Sequence, residues 1–114
     1  MPVNEDKKAN AFVKRVERLK DGYYKEYKEN YEAYSAKEIH RFLGMFSVFN
    51  VLLYTFQHYK SKGKLTMNVV NKIVVKYYDE IRSSEEERDA AYTGKKLAID
   101  LVSLELVSNY QVNK

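Results

Sequence analysis

The side chains best suited to proton transfer or metal ligation are the two histidines, His40 and His58. Both fall in one helical stretch, about five turns apart, which is too far for one site. Neither has an acid at the spacing of a metal-binding helix, since HExxH and ExxH are both absent. Glu38 and His40 are neighbours but one, and on a helix they face different ways. His58 sits where a helix C-terminus is expected, and the dipole there favours a protonated ring. The chain has no cysteine, which excludes disulfides and thiolate metal sites. A GxSxG nucleophile elbow is absent. Gly63-Lys64-Leu65-Thr66 shares part of a phosphate-loop pattern, but the upstream glycine is missing and Leu65 stands where the hydroxyl belongs. It reads as a loop followed by an N-cap. The expectation is a protein that is not an enzyme, with no catalytic, cofactor or metal residues.

Charge offers a second kind of chemistry. The 114 residues carry 20 basic and 16 acidic side chains, a net charge of +4. This permits an anionic partner without demanding one. Residues 35–64 hold five basic groups and one acid, whereas residues 83–114 hold four basic groups and six acids. Lys14, Arg15, Lys60, Lys62 and Lys64 are the candidate anion or nucleic-acid site, if folding brings them to one end. The solvated-surface reading stands beside it. The stretch from Gly22 to Tyr34 interleaves tyrosine with lysine, as stacking platforms for bases do. Glu26, Glu29 and Glu32 stand among them and repel phosphate, so packing is the better use of Tyr23, Tyr27 and Tyr34. Tyr24 and Tyr31 are expected outside the core as part of an interface.

These groups must be positioned by helices. Phe42, Phe46, Phe49, Leu53 and Phe56 recur at alternating spacings of four and three, one stripe of a central helix. Ser35 and Glu38 form a capping box that starts it. The spacing predicts an all-α, antiparallel up-down four-helix bundle with helices over about 9–34, 36–60, 66–82 and 85–110. Residues 1–8 are expected to be a flexible N-terminal tail and 9–114 a single domain. Asp21-Gly22 could split the first helix, and Gly94 could kink the fourth or mark a close helix contact. The run from Val69 to Tyr78 is rich in β-formers, yet its spacing favours helix. Ser83 and Ser84 before Glu85–Glu87 offer capping boxes for the fourth helix. There, Ala90, Leu97, Leu101 and Leu104 are expected to anchor the core. Ile99, Val102, Leu106 and Val107 would then form an outer flank for a partner or a second copy.

The leading expectation is a small helical interaction module that binds a protein partner or itself through an apolar or tyrosine-rich face. The alternatives are a nucleic-acid-binding subunit using the basic end and a cytoplasmic immunity or anti-factor protein. The uncharged window from Phe42 to Tyr59 is at the threshold for a membrane span, with buried core the default reading. The opening MPVNEDKKAN lacks an apolar signal segment, so a cytoplasmic protein is expected, with no cofactor and no small-molecule substrate.

Overall fold

Helix boundaries follow from local chemistry that the side chains declare. At Ser35 the hydroxyl accepts the Glu38 N–H, and the Glu38 carboxylate accepts the Ser35 N–H at 2.9 Å. This reciprocal box starts α2, Ala36–Ser61. In the computed structural model, which describes residues 2–84 and 89–109, α2 is preceded by α1, Pro2–Asn30, and a 3-10 turn, Tyr31–Ala33. Helix α3 spans Met67–Arg82 and α4 spans Ala90–Asn109. The described residues form four α-helices and no strand.

Helix α1 begins ahead of the expected Ala9. Proline suits a first helical position, where its missing N–H has no intrahelical partner to lose. The helix continues through Asp21-Gly22 without a break. It stops at Asn30, whose side-chain amide donates to the Glu26 carbonyl at 2.9 Å. Helix α2 ends in a Schellman motif. Gly63 takes φ +68°, its N–H donates to the Lys60 carbonyl, and the Lys64 N–H donates to the Tyr59 carbonyl. Thr66 then caps α3 by accepting the Val69 N–H. The β-branched run of α3 is helical, as its spacing requires. Asp89 caps α4, its carboxylate accepting the Tyr92 N–H at 2.9 Å. The capping boxes expected over residues 85–87 lie outside the described residues.

An aromatic ladder zips α1 to α2. Tyr34 stacks on Phe42, Tyr27 meets Phe46, Tyr23 stacks on Phe49 and Phe12 meets Phe56 edge-on. From Tyr34, just beyond the 3-10 turn, positions fall back along α1 as they rise along α2, so this pair is an antiparallel hairpin. The buried face of α2 is turned slightly from the expected stripe. Phe42, Phe49 and Phe56 are buried with Met45, Val48 and Leu52, whereas Phe46 and Leu53 are only partly covered.

The largest helix interface is α2 against α4. Gly44 and Gly94 make it possible. A Cβ at Gly44 would lie 2.1 Å from the Ala91 carbonyl oxygen, and one at Gly94 would lie 1.9 Å from that of Arg41. The two backbones therefore touch, and each glycine faces the other helix. Helix α4 is continuous through Gly94, which is a contact and not a kink. Two ion pairs tie the outer helices to α4: Arg15 to Glu105 from α1, and Arg82 to Asp100 from α3, each at 3.2 Å.

Candidate functional site: an apolar groove between α3 and α4

The glycine contact fixes which way α4 turns, and this overturns the expected division of its faces. Facing Gly94 toward α2 carries Ala98 and Val102, at intervals of four, into the core. Ile99 and Val102 are 0% exposed and Leu106 is buried, so they are core and not an interface. Of the residues expected to anchor α4, Leu97 and Leu104 point outward instead, whereas Leu101 packs against the core from its edge and Ala90 is partly covered. Leu104 is 63% exposed, Leu97 is exposed, and Leu101 is partly covered. Val107, at 61% exposed, is the one member of the expected flank that remains on the surface of α4.

Val107 and Leu104 form one wall of a groove of about 620 Å³. Val75, 48% exposed, and Tyr78 form the α3 wall, and buried Val74 and Leu106 make the floor. Asn71 and Ser103 add polar atoms, and the Ser103 hydroxyl is buried with no hydrogen-bond partner among the described residues. One end is closed by the Arg82–Asp100 pair, and the Arg82 guanidinium also lies 5.2 Å from the centre of the Tyr78 ring. Apolar side chains on two neighbouring helices thus face solvent across a shared trough, with a charged pair at its end. Such a surface is suited to recognition by shape and apolar burial.

The other expected site residues fall elsewhere. Tyr24 on α1 and Tyr31 in the 3-10 turn are exposed, outside the groove. Tyr24 lies edge-on to Phe46, and Tyr31 packs on Tyr27. Of the basic set, Lys14, Lys60, Lys62 and Lys64 are exposed, and Arg15 is held by Glu105. Asn10 lines a small cleft with Lys60, Gly63 and Leu65, so the first turns of α1 do lie beside the α2–α3 connection. His40 and His58 are both exposed. Among the described residues, no group of three or more His, Cys, Asp or Glu is placed to hold a metal.

Two carboxyl and phenol groups at the α1–α2 junction are shifted. Hydrogen bonding from the Ser35 backbone holds Glu38 below its ordinary 4.5. Partial burial and the Glu26 carboxylate, 3.4 Å away, raise Tyr34 above its ordinary 10.0. Both shifts belong to the capping structure and lie away from the groove.

Helix α2 is long and apolar enough, by length and composition alone, to cross a membrane, and 44% of its most apolar window is buried in the bundle. Comparison of the chain with protein-family models, curated proteins and solved structures finds no match.

Sequence reasoning missed the groove because it placed Leu104 inside and Leu106 outside. Val75 received no role, because the Val69–Tyr78 run was read only for whether it is helix or strand. The available signal was the glycine pair, since a second helical glycine at Gly44 called for a partner backbone as Gly94 did.

Proposed function

We propose that this protein is a non-enzymatic, cytoplasmic interaction module that receives an amphipathic helix of a partner protein in the α3–α4 groove. The observation that carries this reading is the exposure of Leu104, Val107 and Val75 on two adjacent helices around one apolar trough. Water-exposed apolar side chains cost nothing when scattered, but gathered around a groove they mark a docking surface. From Asp100 to Val107 the groove runs about two turns along α4, enough for a guest helix to seat side chains at i, i+3 or i+4, and i+7. The Arg82–Asp100 pair offers both signs of charge at one end, which favours a guest with one charged residue just beyond its apolar stripe.

Panning a library of displayed helical peptides on the folded protein tests this. Selected peptides should show that apolar spacing, lose binding to Leu104→Glu, and keep binding to a Tyr54→Glu control on the outer face of α2. Peptides that ignore Leu104→Glu would refute the groove as the docking face. Self-association is read in the same samples by sedimentation. A dimer that Leu104→Glu dissociates would replace the foreign helix by a second copy in the same groove.

A further inference from the structure

We infer that the end of the bundle built from the first turns of α1 and the α2–α3 connection binds the phosphate backbone of duplex nucleic acid. Asn10 shares a cleft with Lys60, Gly63 and Leu65, which fixes the face of α1 that meets the connection. Lys7, Asn10 and Lys14 follow one another at spacings of three and four, so both lysines lie on that face. They flank Lys60, Lys62 and Lys64. All five lysines are exposed, and none forms an ion pair among the described residues. Arg15 is excluded from the set because Glu105 holds it through two hydrogen bonds.

The array is rigid where it matters. The Schellman motif consumes the N–H groups of Gly63 and Lys64, Leu65 is buried beneath the connection, and Thr66 caps the next helix. The carboxyl-end dipole of α2 accounts for Lys60 in its last turn, but not for Lys7 or Lys14 on another helix. Like charges held this close repel, and an anionic partner removes that repulsion. The opposite end, at the α1–α2 turn and the facing ends of α3 and α4, sets Glu29, Glu32, Glu38, Asp79, Glu80 and Asp89 against Lys28, Lys37, Arg41 and Arg82, so no excess of positive charge gathers there among the described residues. That polarity would orient an approaching polyanion.

The type of anion follows from what the array lacks. Among the described residues, no exposed tyrosine or phenylalanine lies among the five lysines to stack an unpaired base: Phe12 is buried, Tyr59 is partly covered, and the exposed His58 imidazole is engaged edge-on with Tyr59. Nor, among the described residues, does a large exposed apolar side chain lie beside these lysines to enter a bilayer. Lysines alone read phosphate without reading sequence.

Fluorescence anisotropy with short DNA and RNA duplexes and a single strand, titrated over salt, tests the inference and separates the sources. Five phosphates neutralised give a slope of log affinity against log salt of about −4.5, or roughly a 500-fold loss between 50 and 200 mM salt. Replacing Lys60, Lys62 and Lys64 by Gln should flatten the slope by about 2.7, leaving roughly a 12-fold loss over that range. Replacing Lys7 and Lys14 should flatten it by about 1.8, whereas Lys37→Gln at the far end and Leu104→Glu in the groove should leave it unchanged. Circular dichroism confirms that each variant is folded. Failure of both duplexes to bind at 50 mM salt would overturn the inference. So would a slope indifferent to the Lys7 and Lys14 change, or binding to anionic vesicles without binding to duplex.

Discussion

Gly44→Ala should unfold this protein more readily than any other single-methyl addition to an exposed or buried helix position, Gly94→Ala excepted. The new Cβ would sit 2.1 Å from the Ala91 carbonyl oxygen, against the 3.4 Å at which ordinary contact begins. The obstacle is backbone, so no rotamer change relieves it, and α2 and α4 must part by about 1 Å. A gap of that size forfeits a quarter to a half of each dispersion contact across the interface, and a buried aliphatic side chain makes about 40 to 60 such contacts. Met45, Val48 and Ala98, all buried, share the loss. Overpacking costs about 1 to 3 kcal/mol, with backbone against backbone at the top of that range, and the better helix propensity of alanine offsets about 1, leaving a loss of about 2 kcal/mol. Two other glycines serve as controls. Gly22 has nothing within 4 Å of its Cβ position, so Gly22→Ala should stabilise by about 0.5 to 1 kcal/mol. Gly63 has open space but φ +68°, so Gly63→Ala should cost about 1 kcal/mol. Urea titration of the four variants gives the order directly. The double variant Gly44→Ala/Gly94→Ala should lose less than the sum, since the first change already separates the helices. If Gly44→Ala behaves like Gly22→Ala, the backbone contact does not exist and α4 is free to turn its other face inward.

Truncating the aromatic ladder should be uneven. Phe49→Ala, at a site with no exposure, should cost about 3 to 5 kcal/mol in a denaturant titration, and half-covered Phe46→Ala about 1 to 2. Ser35→Ala should cost about 1 kcal/mol by removing the acceptor for the Glu38 N–H. Because Glu38 is held below its ordinary 4.5 in the fold, its contribution is present above that pH and is lost as pH falls through the lowered value. Glu38→Gln should therefore flatten the acid limb of the stability–pH curve, and an unchanged limb would mean the carboxylate adds nothing at the cap.

The all-α class and the four-helix count were legible because spacing and caps agreed. Ser35 with Glu38 and the glycine at Gly63 each marked a boundary that the structure keeps. The phase of α4 was not legible from its own residues. A helix apolar almost all round gives no preferred face, so periodicity cannot choose between Leu104 and Leu106. A long-range contact chose, through two glycines half the chain apart. The start of α1 was hidden for a different reason: residues 2–8 carry charge and no apolar stripe, and the helix extends there by propagation from the packed turns behind it. The basic end was legible in part. Lysine positions in sequence suggested it, but the pairing of Arg15 with Glu105 depends on where α4 lies.

The central claim is that the α3–α4 groove is the docking face, and site-specific photo-crosslinking tests it most directly. A short photoreactive side chain placed at Leu104, and separately at Tyr54, reads two exposed positions on different faces of the same folded protein. In extract of the cells that make this protein, the groove predicts one discrete adduct from position 104, none from position 54, and loss of the adduct when Val107→Glu is added. No adduct from 104, or equal adducts from both positions, would contradict it.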